Sequence, residues 1–295
     1  MSPLQDALFP TQASKEERQG IVKTSGTARR FGESCPVPYL LRASLTLPES
    51  SSKRDEYPYS VPSIAGLDNG LEFHPRCTFL VGENGVGKST LLEALAVKWG
   101  FNAEGGTRNF NFGTRESHSE LYRDVLLTRS HVRPMDGFFL RAESFFNVAS
   151  EIERLDEEAG IGNPIIWSYG GKSLHEQSHG ESFFSLFMHR FGDHSFYILD
   201  EPEAALSPSR QLAFLVRLHD LIGESCQFVI ATHSPIIMAY PDAWIYELSG
   251  EGIARVEYEE TEHYRLTRRF MTDRHRMLDY LLAPDEENEE GSRRD

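Results

Sequence analysis

Cys77–Val97 reads CTFLVGENGVGKSTLLEALAV, and its three parts decide the fold. CTFLV is a short, nearly continuous apolar run, the pattern of a strand buried on both faces. STLLEALAV is a helix with an apolar face. Between them Gly82-Glu83-Asn84-Gly85-Val86-Gly87-Lys88-Ser89-Thr90 fits the spacing G-x-x-x-x-G-K-[ST]. Its glycines let successive backbone N–H groups point at one anion, and the helix N-terminus behind them adds partial positive charge. Strand, loop and helix in this order make a phosphate cradle formed by Glu83 to Thr90. Lys88 is placed for the β- and γ-phosphates of ATP, and the Ser89 hydroxyl for magnesium.

Two later strands end in groups that such a cradle can use. Phe196–Pro202 reads FYILDEP, an apolar run closed by two carboxylates. Asp200 can hold magnesium through water. Glu201, one residue on, can orient or deprotonate an attacking water. Phe228–Pro235 reads FVIATHSP, so His233 stands after the next apolar strand. A neutral imidazole there can bond both a water and a γ-phosphate. Solvated strand-end acids and a structural histidine are the plainer alternatives, and the loop upstream argues against them.

Around these motifs the pattern alternates between strand and helix. Tyr39–Leu47 and Gly137–Arg141 read as strands, as do Ser195–Leu199 and Gln227–Ala231. Val148–Glu158, Glu181–Phe191 and Ser207–Ile222 read as helices. The fold class expected is α/β, a largely parallel sheet flanked by helices. Residues 1–36 form a loose leader, and 37–283 a single domain with a short helical insert at about 143–180. Residues 284–295 carry the acidic run DEENEE and form a solvated tail. Gly100–Ser119, rich in Gly, Asn, Thr and Arg, is expected to be a loop, ordered or not. Its Arg108 and Arg115 read as solvated cations.

Composition narrows the remaining classes. The 295 residues are 39% hydrophobic and 25% charged, which fits a globular domain. No run of 18 apolar residues and no secretion-type N-terminus are present, so membrane insertion is not expected and the cytoplasm is the default location. A formal net charge of -15 gives no support to nucleic-acid binding. Cys35, Cys77 and Cys226 are scattered, which excludes a disulfide framework or a zinc site. The last two sit in strand patterns and should pack as small apolar groups.

Taken in order, the motifs resemble those of the ABC-type ATPase superfamily. After the loop at Gly82–Ser89 comes Gln177-Ser178-His179-Gly180-Glu181, which resembles the family signature LSGGQ with His179 in place of a glycine and Gln177 in place of leucine. Then follow Asp200-Glu201, a D-loop-like Glu203-Ala204-Ala205-Leu206-Ser207, and the switch residue His233. ATHSP is similar to the phrase in the heads of chromosome-maintenance and recombination-repair ATPases. From about Tyr39 to Leu282 the chain also looks like a group of compact bacterial AAA-family ATPases, on phrases such as DEPEAALSP and TEHYRLTRRF.

The resemblance implies a P-loop NTPase with an ABC-ATPase-type core and ATP and magnesium as cofactors. ATP is then sandwiched between two copies. Ser178, His179, Gly180 and Glu181 of one copy would meet the nucleotide of the other, giving an ATP-dependent homodimer. No glutamine stands where the family has its Q-loop, and Glu143 is the substitute for a magnesium or water contact. Tyr57 and Tyr59 are candidates to stack on adenine. Only about 35 residues separate Glu143 from Ser178, so this is a head without a coiled-coil arm. Three functions fit. One is a stand-alone ATPase with an unidentified protein effector, in DNA repair, genome defence or another bacterial housekeeping role. The second is the energising subunit of a membrane transporter, and the third an ATP sensor with negligible turnover.

Overall fold

Side chains alternate across a strand, so a strand with no exposed residue must sit between two apolar layers. In three strands every residue is buried: β3 (Cys77–Val81), β6 (Ser195–Asp200) and β7 (Gln227–Ala231). The computed structural model, which describes residues 38–107, 119–141, 150, 154 and 179–282, has these strands at the centre of a six-stranded sheet. The order is β5-β6-β7-β3-β8-β9, where β5 is Asp136–Arg141, β8 Trp244–Ser249 and β9 Gly252–Val256. All neighbours run parallel except β9, which pairs antiparallel with β8.

The two faces bury different residues. Phe79, Val81, Tyr197, Leu199, Phe228 and Ile230 enter one core. It is closed by Phe183, Leu186 and Phe187 of α4 (His179–His189) and by Phe214, Leu218 and Leu221 of α5 (Pro208–Gly223). Leu80, Phe196, Ile198, Val229 and Ala231 face the other core. There they meet Leu91, Leu92, Leu95 and Trp99 of α2 (Lys88–Trp99). A three-stranded antiparallel sheet completes that layer, ordered β2-β1-β4, with β1 Leu40–Leu45, β2 Leu71–Glu72 and β4 Val125–Arg129. Two short helices, α1 (Pro62–Ala65) and α3 (Leu121–Asp124), lie in the connections of this layer. Cys77 and Cys226 are free and buried, as expected of small apolar groups.

One side chain joins the two sheets. Gln227, at the start of β7, is buried; its Oε1 accepts from the N–H groups of Tyr39 and Leu40, each at 2.8 Å. Its amide donates to Leu40 O at 2.8 Å and to His74 O at 3.0 Å. Backbone groups at the entry to β1 and before β3 thus find their partners in one amide.

Several elements escape a reading by pattern. Of the five residues of β4 only Val125 is buried, too short and mixed a run to separate from loop. The β8–β9 hairpin is half exposed. Helices α6 (Glu262–Thr272) and α7 (Arg274–Leu281) contain no buried residue, so no core stripe announces them. Part of the Gly100–Ser119 loop is ordered against the sheet, because Gly106 exchanges backbone hydrogen bonds of 2.8 and 3.0 Å with Phe139 of β5. Arg108 and Arg115 lie outside the described residues, as do the leader, the acidic tail and nearly all of Val148–Glu158.

Gln227→Leu removes four hydrogen bonds while keeping the volume. Stranding buried amides costs about 1–3 kcal/mol each where water cannot enter. The expected loss is about 3 kcal/mol in urea unfolding; a change under about 0.5 kcal/mol, the range of an ordinary surface substitution, would show that the joint between the sheets lies elsewhere.

Candidate active site

Parallel strands β6, β7 and β3 lie side by side, so their C-terminal ends open on one edge of the sheet. In open α/β sheets that edge is where ligands bind. Asp200, Thr232-His233 and the Gly82–Thr90 loop follow these ends in the order of the strands.

The loop takes the shape its glycines allow. Gly82, Gly85 and Gly87 have φ of 138°, 83° and 97°, a region that favours glycine. At Gly82 a Cβ would stand 2.2 Å from Leu248 O, so β8 itself excludes any side chain there. Ser63 of α1 braces the loop by donating its hydroxyl to Val86 O. Lys88 opens α2 yet is only 4% exposed. Its Nζ donates to Gly82 O at 2.8 Å and to Glu83 O at 2.7 Å, folding the ammonium back across its own loop. Burial pulls the Lys88 pKa down, and the carboxylates of Glu201 and Asp200 oppose that.

Ser89, one residue on, donates its hydroxyl to Asp200 Oδ1 at 3.1 Å across 111 residues of sequence. Asp200 is buried, and its Oδ2 lies 3.7 Å from Arg141 Nε, at the end of β5. Arg141 also pairs with Glu93 of α2 at 2.8 Å. Sequence reasoning passed over Arg141; the signal was its place at the end of a buried strand beside the one that ends in Asp200.

Glu201 follows with φ of 52°, a left-handed conformation unusual for a residue with a side chain. The turn carries Glu201 out of the strand direction, and its N–H is held by Ala231 O at 3.0 Å. His233 Nε2 stands 3.4 Å from Glu201 Oε1. The backbone N–H of His233 donates to Glu203 Oε1 at 2.5 Å. On the far side of the ring, His233 Nδ1 is 3.0 Å from Nε2 of His263, a residue of α6. Burial lowers the pKa of His233, helped by Lys88 and by His263 and opposed by Glu201. Burial and Lys88 lower that of His263 as well. Burial raises the pKa of Glu203.

The two tyrosines expected near adenine separate cleanly. Tyr59 is 7% exposed, and its hydroxyl donates to Asp124 at 2.5 Å, so it is a packing residue. Tyr57 is 72% exposed, with its hydroxyl 3.0 Å from Thr90 Oγ1 beside the loop. Glu181 is exposed on the first turn of α4, 3.5 Å from Arg210 of α5. Glu143, Gln177 and Ser178 lie outside the described residues, and of His179 and Gly180 only the helical backbone is described.

The donor set fits the groups that the motifs imply. A glycine-rich loop, a buried ammonium and a helix N-terminus suit a polyphosphate. A hydroxyl and a carboxylate at 3.1 Å are hard oxygen donors, and magnesium takes one or two of these along with phosphate oxygens. Together with a sheet in which the His233 strand separates the loop strand from the Asp200 strand, these features make a largely parallel α/β fold with a P-loop at the C-terminal edge of its sheet.

Residues 173–239 match a family described as "AAA domain, putative AbiEii toxin, Type IV TA system"; the span contains Asp200, Glu201 and His233. A search of curated proteins finds no match. Among solved structures, the SMC head domain from Thermotoga maritima is 20% identical, with a TM-score of 0.35 over 64% of this chain and 93% of that one. A second, titled "An inward-facing conformation of a putative metal-chelate type ABC transporter", is 16% identical, with a TM-score of 0.44 over 79% and 89% of the two chains.

The histidine pair carries a pH signature. For a histidine whose pKa falls on folding, the unfolded chain binds more protons below about 6.5, so stability is present above that pH and declines beneath it. Glu203, raised on folding, acts with the opposite sign from about 4.5 upward. In urea unfolding between pH 7.5 and 5.5, His263→Gln should therefore lose less stability than the parent. Equal slopes would show that the pair is not held neutral.

Proposed function

We propose that the chain binds ATP with magnesium on the Gly82–Thr90 loop and hydrolyses it to ADP and phosphate. The observation that carries this reading is the Ser89–Asp200 contact at 3.1 Å, with Lys88 and Glu201 beside it. Backbone N–H groups from Glu83 to Thr90 bind the phosphates. Lys88 exchanges its loop carbonyls for the β- and γ-phosphates. Ser89 and Asp200, with Glu143 as a further contact, would hold magnesium, which would supply neutralisation of the phosphate charge.

Glu201 is the general base. It holds a water against the γ-phosphorus and takes its proton as the new O–P bond forms and the bond to the ADP oxygen breaks. His233 donates from Nε2 to the γ-phosphate. Because burial keeps His233 neutral, one ring nitrogen carries a proton and the other a lone pair. Tyr57, exposed beside Thr90, is the aromatic available to adenine.

Turnover should require two copies. The groups above surround a nucleotide from one side, and a γ-phosphate left open to water loses electrostatic stabilisation. Ser178, His179, Gly180 and Glu181 of a second copy supply the missing donors. With a net charge of -15 each, two copies repel without nucleotide, so the dimer is transient. The working role is a soluble ATPase with a separate protein effector. Among the described residues no helix is long and apolar enough to cross a membrane.

Glu201→Gln should keep ATP binding and cut hydrolysis roughly 100-fold, the scale of a lost general base. A near-normal rate would place water activation elsewhere. In calorimetry with a non-hydrolysable analogue, Lys88→Ala should lose most of its affinity, and unchanged affinity would refute the phosphate assignment.

Light scattering addresses the dimer. Glu201→Gln with magnesium-ATP should dimerise, and adding Ser178→Arg should abolish it. A monomer in the first case, or a dimer in the second, would refute the shared site.

A further inference from the structure

His263 belongs to none of the site residues expected from the sequence, yet its ring lies within 3.0 Å of the His233 ring. The chain goes to some length to place it. Thr261 is fully buried; its hydroxyl donates to Tyr258 O at 2.8 Å and accepts from Tyr264 N at 3.4 Å, which caps α6. Glu262 N–H then donates to Glu247 Oε1 of β8 at 3.1 Å, fixing the helix to the sheet. The next residue is His263, and its Nε2 lands 3.0 Å from His233 Nδ1. No residue of α6 is fully buried, and Arg265 to Arg269 are all exposed, so the contact is made at the anchored N-terminal end of the helix.

Between two neutral imidazoles only one nitrogen of the contact carries the proton. If His233 Nδ1 donated, its Nε2 would be a lone pair, turned toward the carboxylate of Glu201 3.4 Å away. Two acceptors would then face each other. If His263 Nε2 donates, His233 accepts at Nδ1 and carries its proton on Nε2, which faces that carboxylate as a donor. His233 Nε2 and His263 Nδ1 are both buried without a hydrogen-bond partner among the described residues, so either arrangement leaves one N–H unpaired. The second arrangement turns that N–H toward the Glu201 carboxylate 3.4 Å away, where its partial positive charge is favoured. Glu203 holds the backbone N–H of His233 at 2.5 Å, so the ring cannot answer by moving away with its loop.

We propose that His263 is a positioning residue that sets the tautomer of His233, donating from its Nε2 so that His233 presents Nε2–H to Glu201 and to the γ-phosphate. The inference deepens the ATPase reading and rests on it for its kinetic consequence. Its structural content, which nitrogen of His233 holds the proton, stands apart from turnover.

The test uses histidine-¹⁵N-labelled full-length protein, in which long-range proton–nitrogen spectra distinguish the two tautomers. The parent should hold His233 as Nε2–H. His263→Gln, whose amide also donates, should preserve that state and most of kcat. His263→Glu offers only an acceptor and should turn His233 to the Nδ1–H or doubly protonated form, with kcat down roughly 100-fold, the scale of a lost acid–base contact. KM should be unchanged in both variants. An Nδ1–H tautomer in the parent, or an unchanged tautomer and kcat in His263→Glu, overturns the proposal. Should the tautomers follow the pattern while the parent hydrolyses no ATP, the ATPase reading fails and the assignment of His263 stands.

Discussion

The site depends on one buried charge. Lys88 carries an ammonium at 4% exposure, and burial without compensation would neutralise it. Two carbonyls of its own loop and the nearby carboxylates Asp200 and Glu201 hold the charge in place. Those carboxylates in turn require β6 to end close to the loop, and the carbonyls require the loop to curl, which three left-handed glycines permit. Polyphosphate answers the same need better than carbonyls do, since it brings full negative charge. The strain and burial at this edge of the sheet are thus those of a molecule arranged around an anion.

The same electrostatics explain why the histidines beside Lys88 are neutral. An imidazolium next to a buried ammonium is doubly penalised, by burial and by like charge. Neutrality converts His233 from a charged partner into a directional one, with one donor and one acceptor on opposite sides of the ring. Direction then becomes something the surroundings must choose, and α6 brings the group that chooses.

Much of this was legible in the sequence because it is local. Gly82–Thr90 specifies a turn, a helix start and a cation within nine residues, and the apolar runs before Asp200 and His233 specify buried strands. That three strand ends should meet follows from parallel pairing of apolar strands. What the sequence conceals is contact at long range between polar residues. Gln227 reads as the first residue of a strand, with nothing to say that it bonds backbone near residue 40. His263 sits in an exposed, arginine-rich helix, where a histidine at the second position has no pattern to distinguish it. Tyr57 and Tyr59, two residues apart, could be separated only by exposure.

The central claim is that the loop, Ser89, Asp200 and Glu201 form a single ATP-hydrolysing site. The most direct measurement is a crystal structure of Glu201→Gln grown with magnesium-ATP. The account predicts that Lys88 Nζ leaves Gly82 O and Glu83 O for the β- and γ-phosphates, and that a cation bound to Ser89 takes the place of its hydrogen bond to Asp200. Nucleotide bound away from the loop, or Lys88 still folded onto its own carbonyls with ATP present, would contradict it.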